Sequence, residues 1–428
     1  MFCNVYRTIL QNLYHDTCEN DEYMPKAIEY LEYLQNQMYS KLGYTQDELI
    51  EKNKGTHDEI INELVSSYKG FVSSDAIEQI KTIVKRQSDD ILAIAIPTKY
   101  ENRIEYSLIL EISRDIEEAI PALKLTHDDT KKISTLQELS MNIVTPSFGT
   151  LPSGDVNAQT IPCDDGYLIV FESELFYFCH LISKIIAHSF PFEKNGNNVI
   201  LVLKEDEILN RLESNKEILK HFGELIIGCL IGGRPRAAPR YSLEMPYSDI
   251  ASVLTQAMER FVMGHEYSHI LLRHNPIKNG QINLTDIKNV YNKMFSWPQE
   301  YEADYLGLQL MFKAMEKVEN ANIAFDYCAV EIFFLSFEIM KRAISIMKRG
   351  NDDFYWKEGV EDGPVGTHPP FEYRRGLTRS LMSKKYGEDS VKLSKLVELI
   401  IVNLWANTKP YVESMREQGF TLHPKWLL

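Results

Sequence analysis

Apolar residues recur at helical spacing along much of the chain. Over residues 23–39 they fall at Ile28, Leu31, Leu34 and Met38, one stripe of a helix. Thr45 with Glu48 and Thr56 with Glu59 are capping boxes, so further short helices are expected there. Residues 76–85 read as another helix. The apolar runs 91–96 and 104–110, around Glu101-Asn102-Arg103, read as two strands of a hairpin. A polar run at 126–132 marks a boundary. Beyond it, 145–165 is rich in Pro, Gly and Asp and reads as loop, 167–171 as a strand, and 174–188 as an apolar helix with His180 and His188 as core or interface histidines. Residues 198–204 read as a buried strand. Residues 232–239 form a basic loop with Arg234 and Arg236, followed by Arg240. From Ser248 the apolar pattern runs through Leu254, Met258, Phe261 and Val262 to Leu272 without a proline, a long buried helix. Residues 390–406 form a terminal helix. These elements predict an α+β chain, mainly helical, with an N-terminal helical and hairpin domain over 1–130 and a second domain over 131–428.

Composition narrows the class. The chain has 428 residues, 44% hydrophobic and 25% charged, which is an ordinary globular balance. Its net charge of −15 argues against nucleic acid or an anionic membrane as main partner. Six cysteines at irregular spacing, with no Cys-x-x-Cys, suit buried thiols in a reducing compartment. No secretory leader is visible at the start. The two most apolar stretches do not read as membrane spans. Residues 225–231 are too few, and 327–347 carry Glu331, Glu338, Lys341 and Arg342. A cytoplasmic protein with no membrane span is expected.

The chemistry gathers in one stretch, His265-Glu266-Tyr267-Ser268-His269. On a helix the two histidines lie one turn apart on one face, where both ring nitrogens can reach one ion, and Glu266 can reach a water on that ion. Two solvated histidines on a surface helix would give the same five letters, but the apolar flanks place this helix inside. His274 lies nine residues past His265, on the opposite side of a continuous helix, and is not expected to bind the same ion. A catalytic zinc site takes three protein ligands and keeps one position open. Ser296 and Gln299 form a capping box with Pro298 in the first turn, so a helix starts there with Glu300 one turn inside and Asp304 on the same face. Glu300 suits the third ligand, and Asp304 suits the acceptor for a ligand imidazole N–H. An acidic helix start that merely complements the helix dipole is the alternative, and Glu302 fits it.

The order His-Glu-x-x-His, then Glu-x-x-x-Asp, resembles the gluzincin metallopeptidases, and within them the branch of HtpX-type heat-shock proteases and prenyl-protein (CAAX) endopeptidases. That branch often carries a further histidine where His274 stands, and a later Thr-His-Pro-Pro followed by arginine, here Thr367-His368-Pro369-Pro370 and Arg374. The resemblance implies that His368 and Arg374 lie over the metal as candidates to stabilise an oxyanion. It also implies a zincin-like catalytic domain whose small sheet lines the cleft with an edge strand. Val156-Asn157-Ala158 and the segment 166–171 are similar to the family's Asn-Ala segment and edge strand, which would place that strand at 167–171. The soluble Lit-type phage-exclusion peptidases share the motif order and suit the absence of a membrane span. The resemblance covers roughly 134–386. It implies one Zn2+ per chain, a peptide or protein substrate, and an N-terminal domain available to an activating partner. A zinc-binding interaction or sensor module with a vestigial hydrolytic site is the other expectation.

Overall fold

The computed structural model describes residues 26–62, 74–123, 145–195, 198–274, 297–318, 322–352 and 369–427, apart from short breaks at 46, 49, 52–55, 59, 153–157 and 165. The polar run 126–132, the connection 275–292 and the loop leading to His368 lie outside the described residues.

The chain is mainly helical with a small sheet. Helix α1 (Ala27–Lys41) buries the face Tyr30, Leu31, Leu34 and Met38. The Thr45 capping box forms, with Glu48 accepting from the Thr45 amide at 3.0 Å and from its hydroxyl at 2.7 Å. The expected hairpin over 91–110 does not form. Residues 91–93 close helix α2 (Ser74–Ala93), and 104–110 open helix α3 (Arg103–Ala119). Asn102 caps α3 by accepting from the amides of Ile104 and Glu105 at 3.0 and 3.1 Å. An apolar run this short is ambiguous. The buried set Tyr106, Ile109, Ile112, Ser113 and Ile116 shows the helical period only over a longer window.

The loop expected over 145–165 holds two strands, β1 (Ser147–Leu151) and β2 (Ala158–Cys163). With β3 (Gly166–Glu172) they form a sheet of order β1-β3-β2, β1 parallel and β2 antiparallel to β3. The strand over 167–171, expected at an edge, is therefore the central one. Its side chains alternate between two cores. Leu168 and Val170 join Ile161 under α1, while Tyr167, Ile169 and Phe171 face the main helical core. A strand covered on both faces and paired on both sides reads as one apolar run, which says nothing of its place in the sheet.

Helix α4 (Leu175–Ser189) follows, then a two-stranded hairpin of β4 (Phe192–Asn195) and β5 (Asn198–Leu201). This second ladder is not the buried strand the sequence suggested, since Ile200 is 51% exposed. Helices α5 (Glu205–Ser214) and α6 (Lys216–Gly232) lead to the long α7 (Tyr247–Leu271), which carries the histidine motif. Helix α7 packs on α8 (Trp297–Met315), on α4, on α3 and on α9 (Ile323–Arg349). Helices α10 (Phe371–Tyr386) and α11 (Asp389–Glu417) complete the set, α11 extending well past the expected 390–406. One continuous apolar core runs from Tyr106 on α3 to Trp426 near the C-terminus. No helix among the described residues is long and apolar enough to cross a membrane.

Sheet, α1 and the α2–α3 connection are tied by one buried carboxyl. Glu101 is fully buried and accepts from the Thr150 amide and hydroxyl, each at 2.9 Å, and from Gln35 of α1. Burial pushes it from 4.5 up to about 7 against those hydrogen bonds. A raised folded-state value favours the fold fully below the ordinary value, and the benefit is lost as pH rises through about 7. Stability should therefore fall between about pH 4 and 7 and level off above that, by at most about 3 kcal/mol from this group. Glu101→Gln, a mimic of the protonated acid, should flatten that slope in denaturation midpoints measured across the range. An unchanged slope would remove Glu101 as its source.

Candidate metal centre

Two helices supply the site, and two glycines let them approach. A side chain at Gly307 would lie 2.7 Å from the amide nitrogen of His265, and one at Gly264 would lie 3.0 Å from the Gly307 carbonyl oxygen. Helices α7 and α8 thus cross backbone to backbone one residue before His265 and three after Asp304. Polar groups on the facing turns are brought into a space with no room for bulk.

His265 and His269 of α7 and Glu300 of α8 meet there, all three buried, with ligand atoms within 4.8 Å of one another. The separations are 3.1 Å between the two Nε2 atoms, 3.6 Å from His265 Nε2 to one Glu300 oxygen, and 3.7 Å from His269 Nε2 to the other. Ligands roughly 2.0–2.1 Å from one ion in tetrahedral array lie roughly 3.4 Å apart. The three distances bracket that value, so the donor set fits a small divalent cation. Glu300 is 0% exposed, and an ionised carboxylate so deeply placed needs a charge partner. The group could hold a metal ion.

The back of each imidazole is held. His265 Nδ1 donates to Asp304 Oδ1 at 3.0 Å, which leaves Nε2 as the lone-pair nitrogen facing Glu300. Asp304 accepts in turn from Arg374 of α10, at 2.8 Å from Nε and also from Nη2. Burial alone would raise the Asp304 carboxyl, but the Arg374 charge and hydrogen bonds outweigh it and hold the group at about 2. For His265, burial works against the charged ring and Asp304 overcomes it, so its proton affinity is raised. Arg374 stacks over Phe334 at 4.7 Å and lies 3.8 Å from Glu300. Its guanidinium is thus fixed on the Asp304 side of His265. His368 lies outside the described residues.

His269 is braced by a residue the sequence set aside. Its Nδ1 lies 2.9 Å from His274 Nδ1, and His274 Nε2 lies 3.2 Å from Glu302. His274 is not in the ligand cluster, as its helical position predicts, but the helix does not continue as far as His274. Helix α7 ends at Leu271, and Arg273 takes a left-handed φ of 52°, which swings His274 back under His269. Glu302, read as a dipole-complementing charge, anchors this chain. Gln299, expected to cap its own helix from Ser296, donates to the His274 carbonyl at 3.3 Å. Removing the support of a ligand imidazole typically weakens metal binding by about 10–100-fold. We expect that loss for His274→Ala in a competition titration with a chromophoric zinc chelator. An affinity within about twofold of the parent would show that the brace is incidental.

Glu266, the neighbour of the first ligand, is buried, and its carboxylate accepts from Thr160 at 2.8 Å. The Thr160 hydroxyl also lies 3.1 Å from the Glu266 carbonyl oxygen. Thr160 belongs to β2, so the edge strand is fastened to the motif helix at the acid that follows His265. Nothing in the sequence pointed to Thr160, because the contact joins residues 106 positions apart. Tyr267 and Ser268, between Glu266 and His269, face the core. Tyr267 donates to Glu117 of α3 at 2.7 Å, and Ser268 donates to the Gly264 carbonyl at 2.6 Å.

Compared with protein-family models, with curated proteins and with solved structures, the chain gives no significant match in any of the three, so its chemistry is read from these residues alone.

Proposed function

We propose that the chain is a zinc-dependent peptidase of the gluzincin kind. The observation that carries this reading is the convergence of His265, His269 and Glu300 beside Glu266, a general base already oriented by Thr160. Two neutral imidazoles and one carboxylate are the three-ligand set of catalytic zinc, and a structural site would be closed by a fourth protein ligand. No fourth ligand atom joins the cluster among the described residues. A bound Zn2+ supplies Lewis acidity toward a water and the scissile carbonyl.

The protein's own residues do the rest. Glu266 takes the proton of the attacking water and passes it to the leaving amine. Thr160 keeps that carboxylate in one orientation. Asp304 and His274 keep the ligand nitrogens of His265 and His269 turned inward. Arg374 secures Asp304, a positioning role, which leaves His368 as the candidate to steady the oxyanion. An extended peptide would add to β2 rather than to the central β3, because no described strand pairs with the outer edge of β2.

Elemental analysis of the wild type beside His265→Ala tests the reading. About one zinc per chain is expected in the wild type and none in the variant. A chelator-free wild type without metal would overturn it.

A further inference from the structure

A cavity of about 610 Å3 lies apart from the metal ligands, none of which lines it. It sits where the C-terminal ends of the parallel strands β1 and β3 meet the end of α1, the start of α3, the loop after α6 and the C-terminal segment. Ligand pockets commonly measure roughly 300–1,000 Å3, so the space is that of a small organic molecule and not of a lone ion.

Its lining has two characters. One wall is aromatic. Tyr39 and Tyr100 stack at 5.4 Å with planes 13° apart, and Tyr44 meets Tyr39 edge-on at 6.2 Å. The other is cationic. Arg234, Arg236, Arg240 and Lys425 line the cavity against the carboxyls of Glu105, Glu172 and Glu174. Arg236 pairs with Glu174 at 3.3 Å, and Lys425 with Glu172 at 2.7 Å. Burial first, and then the neighbouring Glu174, push Glu105 up to about 8, so it holds its proton near neutrality and the lining is net positive. In a chain of net charge −15 such a lining is not a by-product of composition.

The backbone around the cavity is held in unusual shapes. Glu174 takes a left-handed φ of 65°, and its amide donates to Glu105 at 2.6 Å. Strain of this kind in a residue other than glycine persists only where neighbours enforce it, and it gathers at ligand sites. Gly233 is left-handed at φ 69°, and a side chain there would strike the His423 ring at 2.4 Å. His423 is itself tied by its amide to the Leu230 carbonyl at 2.9 Å. The C-terminal segment therefore clamps the glycine turn that carries the exposed Arg234 to the rim.

We propose that this cavity binds a nucleotide, its phosphates against Arg234 and Arg240 and its base against the tyrosine wall. Guanidinium groups suit phosphate oxygens, and a base lies on an aromatic face whatever its sequence context. The carboxyls of Glu105, protonated, and Glu172 offer the donor and the acceptor that a base edge requires. Such binding is independent of the metal site.

Isothermal titration with ATP, GTP, CTP and UTP tests it, alongside the matched nucleosides and inorganic pyrophosphate. At least one nucleotide should bind with a dissociation constant below about 1 mM and raise the melting temperature. Its nucleoside and pyrophosphate should each bind at least about tenfold more weakly. The double variant Arg234→Glu, Arg240→Glu should weaken the nucleotide at least about 30-fold while melting normally, since both side chains are exposed. His265→Ala should bind it as the wild type does. The proposal fails if no nucleotide binds, if binding survives the charge reversal, or if pyrophosphate binds as tightly as the nucleotide.

Discussion

Glu266→Gln should retain about one metal ion per chain while its peptide hydrolysis falls by about 10²–10⁴, the span expected for loss of a general base. The substitution is isosteric. A glutamine oxygen still accepts from Thr160, and the three ligand side chains are untouched, so the site keeps its shape. What disappears is the ability to take a proton. Loss of metal together with activity would mean instead that the variant disturbs α7. Both quantities must therefore be read on one sample, kcat/KM on denatured casein and metal by elemental analysis. Thr160→Val belongs to the same experiment. It leaves the base in place but unoriented, and about a tenfold fall in kcat is expected with metal content unchanged. Undiminished hydrolysis by Glu266→Gln would refute the mechanism.

The legible part of this site is the part written within single helices. His265 and His269, and Glu300 and Asp304, are each one turn apart on a continuous helix, so residue spacing and the helical period are enough to set them face to face. The glycines that allow α7 and α8 to touch stand in the sequence next to these residues, but their meaning appears only once the helices cross. His274 escapes such reasoning because its direction depends on a single left-handed residue, Arg273, beyond the helix end. Thr160 is invisible because strand-to-helix contacts across a long separation leave no local pattern. The place of β3 in its sheet is hidden for a related reason. Burial of both faces is visible in a run of apolar residues, whereas neighbour order is settled by chain connections. The hairpin expected over 91–110 shows the opposite fault, a window too short to tell period two from a helical stripe.

Arg374→Ala should lower stability by about 3–5 kcal/mol, because it strands a buried charge. Arg374 is 4% exposed and Asp304 1%, and each is the other's principal partner. With the guanidinium present, Asp304 titrates at about 2, below its ordinary 3.8. A depressed folded-state value stabilises the fold at pH above the ordinary value, and the gain is lost as pH falls toward about 2. Without Arg374 that gain goes at every pH above about 4, and burial then favours the protonated acid. The deficit against wild type should therefore be largest near neutrality and shrink toward about pH 3, as read from urea midpoints. The double variant Arg374→Met, Asp304→Asn should recover much of the stability, since neither buried charge remains. It should not recover metal affinity, because His265 Nδ1 would face a neutral amide instead of a carboxylate. A wild-type midpoint for Arg374→Ala at neutral pH would refute the stranded charge. Full metal affinity in the double variant would mean that the pair serves the fold alone and not the ligand it touches.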